Sequence, residues 1–448
     1  MNKRNIILLL MASFSLALFS QEAGEVTIDS IEIEYIGKAK TNESTLRSYL
    51  DIEEKQVLSS IEELEGILMQ QEQMLNNTRY FKSVEISSHP ISDGGNSYTV
   101  LVKIEDGWTF VPIPYPLPDS AVGNNGWSFG LEVNYDNMFG TMTDLYIDGY
   151  VNVAFGEDEK LKEWKINPKV KNIKIGSFKF DVEYTQEYST TEVTDPIFPV
   201  DEQLREHYTN SGSLLKLSSD INLAGLWSYS IAPQVGMNYS FNYHPSFEGK
   251  TTQVNDNVVE DRLSFIIEHS IGLGQVDWIG PLRKGYSFRF GNSLKLLNSY
   301  DNSTAQTSLR FVPDFSLEGK LYVPLGRRFN YYTKAKALYI INDVDKGMGG
   351  TLRGVKNSSM AGDLGFFWLN TMAFEIWGNK SVHIQIHPFA DMGIAINTKN
   401  ILSFEDMFRI GFGTELVVML GSIDLKGKIG YDPISDYVDF SFRTGLSY

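Results

Sequence analysis

The sequence of 448 residues contains no cysteine. Disulfide bonds therefore cannot cross-link its loops, and the cysteine that anchors a lipoprotein is missing. Beyond the N-terminus, no apolar run approaches the roughly 20 residues that a helical membrane span requires. Basic residues are also in deficit, because 39 lysines and arginines stand against 56 aspartates and glutamates, and the formal net charge is −17. This balance argues against nucleic-acid binding, which requires a basic surface.

The N-terminal residues have the pattern of an export signal. Lys3 and Arg4 precede an apolar stretch from Ile6 to Phe19, as in a secretory signal peptide. We predict that residues 1–20 are this signal. An uncleaved membrane anchor is the alternative, and the shortness of the apolar stretch disfavours it.

Most of the sequence after residue 107 alternates between apolar and polar residues. In the C-terminal segment, Val438 and Phe440 fall on one face of an extended strand, whereas Asp439 and Ser441 fall on the other. A half-exposed strand in a soluble sandwich shows the same alternation. Behind an export signal, its repetition along the chain favours a transmembrane antiparallel β-barrel with lipid outside and a polar lumen.

Residues 25–106 have a different pattern. A strand that ends at Gly37 is followed by a short helix and by a second helix that begins at a capping box from Ser59 to Glu62. Two further strands, at 81–86 and 98–104, complete the segment. The order strand, helix, helix, strand, strand predicts a small α+β domain at 25–106, in front of a mainly β barrel domain at 107–448.

The number of barrel strands follows from parity. Barrels built from one chain normally have an even number of strands. Five alternating segments follow a long polar loop at 343–362, and ten clear segments precede it. The segment from Thr109 to Pro116 completes a predicted barrel of sixteen strands.

This first segment carries Pro112, Pro114, Pro116 and Pro118 at alternate positions. In a strand, alternate N–H groups point toward the same neighbour, so all the missing donors lie on one edge. A strand that can pair on one side only suits the closing seam of a barrel, beside the strand that ends at Tyr448. Pro112, Pro114 and Tyr448 are therefore the predicted seam residues. A polyproline linker between the domains is the alternative interpretation.

Four local motifs carry a family resemblance. The segment 77–84, Asn-Thr-Arg-Tyr-Phe-Lys-Ser-Val, resembles the signature of a POTRA domain, and one copy is present. The strand count and three further motifs resemble the BamA/TamA superfamily of outer-membrane proteins, to which two-partner-secretion transporters also belong. These motifs are Asp136-Asn137-Met138-Phe139-Gly140-Thr141 in the turn between barrel strands two and three, Leu352-Arg353-Gly354-Val355 in the sixth extracellular loop, and Phe389-Ala390-Asp391-Met392-Gly393 two strands later.

The alternation alone places Asp391 on the lumen face of its strand, because Ile384 and Ile386 take the lipid face. A loop that folds into the lumen can be held there by a charge-assisted pair between Arg353 and Asp391. The resemblance implies this arrangement: Arg353, Gly354 and Asp391 form a lock that pins the loop inside the barrel. The alternative is an exposed loop arginine and a solvated lumen carboxylate.

Two positions depart from the family pattern. Val355 replaces the aromatic residue that usually follows the Arg-Gly pair, and Trp377 stands where an arginine is common. We therefore expect weaker packing at the loop tip and a divergent member rather than the housekeeping insertase. His383 and His387 share one strand face, but two imidazoles without a nearby carboxylate or cysteine favour a polar lumen lining over a metal site.

The resemblance implies a protein-insertion or translocation function without enzymatic chemistry. We predict no catalytic residue, cofactor, metal or nucleotide. The expected partners are outer-membrane lipids and unfolded client proteins or periplasmic proteins, which a POTRA domain in the periplasm binds by β-augmentation. A client then passes through a lateral seam or the lumen. The alternative is a passive channel or a structural outer-membrane protein with a partner-binding domain.

Overall fold

The computed structural model describes residues 25–92, 95–107, 109–118, 126–154, 160–176, 178–194, 205–241, 260–301, 306–341, 347–379, 382–399, 407–421 and 423–446. The chain divides into two compact units, Met1–Gly107 and Trp108–Tyr448. The predicted signal peptide at 1–20 lies outside the described residues.

The N-terminal unit is a small α+β fold. Its elements are β1 (Val26–Tyr35), α1 (Glu43–Tyr49), β2 (Val57–Leu58), α2 (Ile61–Thr78), β3 (Phe81–Pro90) and β4 (Ser97–Asp106). The strands form one sheet in the order β2-β1-β4-β3, in which β1 and β4 run parallel. Leu64, Leu68 and Leu75 of α2 are buried, because their helical spacing places them on one face.

The start of α2 differs from the predicted capping box by one residue. Ser60, not Ser59, is the N-cap, and its side chain accepts a hydrogen bond from the Glu63 N–H at 3.2 Å. The Glu63 carboxylate in turn accepts from the Ser59 hydroxyl at 2.6 Å and from the Ser59 N–H at 2.7 Å. These hydrogen bonds stabilise the charged carboxylate and lower the pKa of Glu63.

The described residues of the second unit form an antiparallel sheet of sixteen strands, so the predicted fold class and strand number are confirmed. Each strand pairs with its neighbours along the chain, and β5 and β20 are the two ends of the strand order. The strands are β5 (Phe110–Pro118), β6 (Gly126–Tyr135), β7 (Asp144–Ala154), β8 (Lys160–Ile175), β9 (Phe178–Thr194), β10 (Arg205–Asn222), β11 (Trp227–Phe241), β12 (Glu260–Ile279), β13 (Leu282–Asp301), β14 (Gln306–Pro324), β15 (Phe329–Ile340), β16 (Leu364–Gly378), β17 (Val382–Ile396), β18 (Phe408–Leu420), β19 (Ile423–Asp432) and β20 (Tyr437–Leu446).

The two faces of this barrel-like sheet have opposite chemistry. On β13, Phe288 and Phe290 are each 45% exposed on the outer face, whereas Ser293 on the inner face is 6% exposed. Large apolar side chains are exposed in the same way on strands around the sheet. The inner face instead carries ion pairs, of which three are Lys295–Asp314 at 2.5 Å, Lys334–Glu318 at 2.6 Å and Lys428–Asp439 at 2.5 Å.

Within the described residues, no helix is both long enough and apolar enough to cross a membrane.

An arginine in place of Phe288 tests which medium covers the outer face. In hydrocarbon, a charged side chain near the bilayer midplane of a barrel costs about 2–4 kcal/mol. We therefore expect Phe288→Arg to lower the folded fraction in a urea titration of the protein in lipid vesicles. Ser287→Arg, the adjacent residue on the opposite face, is the matched control. Equal destabilisation by both variants would contradict a lipid-covered outer face.

Candidate functional site: a loop docked on the inner face of the barrel

The segment between β15 and β16 folds onto the inner face of the sheet. Its described part, residues 347–363, contains a short 3₁₀ turn at Gly349–Thr351. Four apolar side chains of this segment are buried against side chains of the surrounding strands. The loop residues are Met348, Leu352, Val355 and Met360, and the strand residues are Val312, Ile340, Phe367 and Ala395. The loop therefore has its own apolar contact with the inner wall.

At the loop tip, Arg353 forms a bidentate pair with Asp391 of β17. The Arg353 Nε donates to Asp391 Oδ2 at 2.8 Å, and Nη2 donates to Oδ1 at 2.7 Å. The Asp391 side chain is fully buried and that of Arg353 is 14% exposed. Two parallel N–H···O contacts fix both the distance and the plane of the guanidinium.

Backbone and ring contacts complete the surroundings of this pair. Asp391 also accepts the backbone N–H groups of Arg353 at 3.1 Å and Asn370 at 3.2 Å. The guanidinium lies over the ring of Phe389, with Cζ 4.2 Å from the ring centroid. Its Nη1 is 3.6 Å from Glu415 Oε2 on β18. The buried charges are thus compensated by opposite charge, hydrogen bonds and a cation–π contact, as burial requires.

Glycines allow the tip to approach the wall at backbone distance. Gly354 has φ +80°, and a Cβ at Gly354 would lie 2.7 Å from the Tyr431 nitrogen. On the wall, a Cβ at Gly411 would lie 2.0 Å from the Arg353 carbonyl oxygen, and one at Gly430 would lie 2.6 Å from the Gly354 Cα. We name Gly411 and Gly430 the glycine floor. Sequence reasoning missed it, although a glycine on each of two neighbouring strands was a usable signal.

The two departures from the family pattern have different surroundings. Val355 is 5% exposed and packs in the apolar cluster of the loop. A Cβ at Gly411 would also contact its Cγ2 at 3.1 Å, so the valine fills the space beside the glycine floor. Trp377 is 49% exposed on β16, where the pairing with β17 shifts between Glu375 and Trp377. Trp377 therefore does not join the docked loop.

The Asp136–Thr141 motif lies between β6 and β7, the second and third strands of the large sheet. Asn137 adopts φ +50°, and its side-chain oxygen accepts the Met142 N–H at 2.7 Å. Asp136 is buried, and Gly140 has φ +76°. Asn137 therefore stabilises the turn, because asparagine tolerates the left-handed region and its side chain hydrogen-bonds nearby backbone groups.

The Phe139 side chain of this motif is 74% exposed. Its ring lies 5.7 Å from that of Tyr135, which lies 6.0 Å from that of Phe110 at the start of β5. Pro112 and Pro114 of β5 are exposed, and Tyr448 lies outside the described residues. The structure thus places the turn motif beside the first strand and does not bring either of them to the Arg353–Asp391 pair.

One of the two histidines, His383, has a carboxylate partner that was not expected from the sequence. The Nδ1 atom of His383 lies 2.7 Å from Glu375 Oε1, whereas His387 contacts Gln385 at 2.6 Å. In the described part of the chain, no group of three or more acidic, histidine or cysteine residues could hold a metal ion.

Solved structures share this architecture. CdiB from Acinetobacter baumannii superposes with a TM-score of 0.55 and 14% identity, and the match covers 94% of this chain and 74% of that chain. CdiB from Escherichia coli superposes with a TM-score of 0.53 and 12% identity, over 96% of this chain and 91% of that one. The chain has the CdiB fold. The fold that the predicted resemblance implied is thereby confirmed.

BamA from Haemophilus ducreyi, in a form that lacks POTRA domains 1–3, also matches, with a TM-score of 0.45 and 16% identity over 93% of this chain and 84% of that chain. No family model and no curated protein sequence matches the chain. The chain thus shares the CdiB fold at 12–14% sequence identity.

Removing the Arg353 side chain should release the loop of this CdiB-type barrel. Arg353→Ala leaves Asp391 buried without its counter-ion, and loss of one partner from a buried pair costs about 3–5 kcal/mol. We expect proteinase K to cleave segment 347–363 faster, while the barrel still folds. Lys356→Ala, an exposed position in the same loop, is the control. Unchanged cleavage of Arg353→Ala would count against the pair as the anchor of the loop.

A methyl group on the glycine floor should displace the loop without changing any charge. Gly430→Ala places a Cβ 2.6 Å from the Gly354 Cα, whereas a Cβ at Gly427 on the same strand meets no atom within 4 Å. We therefore expect Gly430→Ala, but not Gly427→Ala, to increase proteinase K cleavage of the loop. The idea fails if the two variants behave alike.

Proposed function

We propose that this protein resides in a bacterial outer membrane and inserts client β-barrel proteins through a lateral seam between β5 and β20. The observation that carries the proposal is the docked loop, since the Arg353–Asp391 pair fastens it to the inner wall of a sixteen-stranded sheet. A lumen that holds its own loop is a poor path for free diffusion. The apolar outer face supports the membrane location, because an outward apolar band is the hallmark of transmembrane barrels.

The position of the loop supports a route along the seam. Its contacts bind together β14 to β19, through residues such as Val312, Asp391, Gly411 and Gly430. The strand β5 lies at the opposite end of the strand order, next to β6. The strands that the loop contacts, β14 to β19, therefore do not include the first strand. In this proposal, β5 can move without release of the loop from the inner wall.

The N-terminal unit, in this proposal, is a single POTRA domain in the periplasm that captures unfolded clients by strand addition. The outer edge of β1 is partly covered, because β2 pairs with it and Arg47 Nη2 donates to the Ile31 carbonyl at 2.7 Å. The remaining edge is β3. There the Glu72 carboxylate accepts the Ile86 N–H at 3.1 Å, so an incoming strand displaces one side chain.

No covalent chemistry and no nucleotide are needed for this function. Burial of the client's apolar surface in lipid, together with pairing of its backbone groups, supplies the free energy. The CdiB fold supports the proposal, and the client remains defined by chemistry alone: an unfolded chain whose strands are apolar on one face.

A reversible disulfide across the seam tests the function directly. The chain has no cysteine of its own, so Ile113→Cys can be combined in turn with Asp439→Cys and Ser441→Cys, all on the inner face. We expect the oxidised protein in vesicles to lose its ability to speed the insertion of a urea-unfolded outer-membrane barrel, and the reduced protein to regain it. Full activity of the cross-linked protein would discard lateral opening and favour passage through the lumen.

Planar-bilayer conductance separates this function from that of a passive channel. The docked loop leads us to expect low conductance that rises in Arg353→Ala. A large, stable pore in the unmodified protein, together with no effect on the outer-membrane proteome when the protein is depleted, would favour the passive channel.

A further inference from the structure

We propose that an incoming client strand pairs with the edge of β20, and that β5 is a barrier edge, where a client strand finds too few backbone donors to pair stably. The inference rests on the proposed insertion function and assigns the two sides of the seam different roles. It follows from the backbone donors that each end strand offers.

The pairing of β5 with β6 fixes the direction in which its backbone groups point. Pro112 lies opposite Val133 and Pro114 opposite Leu131, while Val111 lies opposite Asn134 and Ile113 opposite Glu132. In an antiparallel ladder, hydrogen-bonded pairs alternate with non-hydrogen-bonded pairs. A proline cannot donate, so the hydrogen-bonded pairs with β6 fall at the residues between the prolines.

The prolines consequently point their backbone toward the seam. Each of the four prolines, Pro112, Pro114, Pro116 and Pro118, presents a carbonyl oxygen to the seam and no N–H. Among the residues of β5 whose backbone faces the seam, Phe110 alone therefore keeps a donor. Isolated prolines occur in other strands, for example Pro233 and Pro388. The alternate series is confined to β5 in this sequence.

The other side of the seam has a complete set of backbone groups. No proline occurs in β20, Tyr437–Leu446, so every residue that faces the seam offers both an N–H and a carbonyl. Val438 and Phe440 are 59% and 70% exposed on the outer face. The free edge of β20 can therefore form a complete set of backbone hydrogen bonds with an added strand, next to an apolar outer surface.

These two edges can satisfy each other only in part, because β5 has acceptors for the N–H groups of β20 but few donors for its carbonyls. Carbonyl groups of β20 that meet the prolines of β5 receive no donor, and in hydrocarbon no water replaces it. A client strand without prolines supplies both donors and acceptors, so pairing of the client with β20 is favoured over closure of β20 on β5. From the four prolines of β5 the same client gains only acceptors. This asymmetry directs strand addition to one side of the seam.

Site-specific cross-linking tests the choice of edge in the full chain. Single cysteines are placed on the inner face of each end strand, Ser441→Cys on β20 and Ile113→Cys on β5, with Ser287→Cys on β13 as the collision control. The probe is a urea-unfolded, eight-stranded outer-membrane barrel that carries one cysteine in its first or last strand, diluted onto vesicles that contain the protein. We expect about tenfold more cross-linked product at Ser441→Cys than at Ile113→Cys, as a difference of a few backbone hydrogen bonds implies.

Equal or greater product at Ile113→Cys overturns the inference and leaves the proposed function standing. Product at neither end strand above that of Ser287→Cys overturns it as well. If, in that case, the protein also fails to speed insertion of the probe, the proposed function fails with it.

Restoring the donors provides a second test that needs no cross-link. The double variant Pro112→Val/Pro114→Val keeps apolar side chains and returns two N–H groups to the seam. We expect it to unfold at a higher temperature in detergent and to lose insertion activity, because β5 and β20 then close on each other. Pro233→Val, at a proline of β11, is the control and should retain activity. Unchanged unfolding temperature and activity in the double variant would overturn the barrier role of β5.

Discussion

Backbone hydrogen bonding is the constraint on which this barrel depends. Every buried N–H and carbonyl needs a partner, and for fourteen of the sixteen strands in the described residues a neighbour on each side supplies one. The two end strands, β5 and β20, each have a neighbour on one side only in the strand order. The backbone chemistry of the end strands, more than any side-chain cluster on the wall, is therefore the basis of the lateral opening proposed above.

The Arg353–Asp391 pair specifies position more than it adds stability. Desolvating two charges offsets much of their attraction, so a buried pair is weak evidence of net stabilisation. Its fork geometry, the two backbone donors to Asp391 and the Phe389 ring select one arrangement of the loop tip. The apolar cluster of Met348, Leu352, Val355 and Met360 supplies the affinity.

The sequence predicted the features that depend on periodicity and failed on those that depend on register. Alternation predicted fifteen strands and the inward direction of Asp391, and the rule of even strand number added the proline-rich segment as the sixteenth. The glycine floor escaped, because Gly411 and Gly430 become neighbours of the loop only when the register of their strands is known. The capping box was displaced by one residue, since Ser59 and Ser60 both precede a glutamate at the required spacing.

The inner wall joins lysines to carboxylates in close pairs, such as Lys295–Asp314, Lys334–Glu318 and Lys428–Asp439. Adjacent opposite charges cancel each other's field within a few ångströms, so such a surface attracts neither a cationic nor an anionic polypeptide strongly. A polypeptide segment in contact with this wall would therefore bind to it only weakly. In the proposed function, a client would then be selected by its backbone groups and its apolar surface rather than by the sign of its charge.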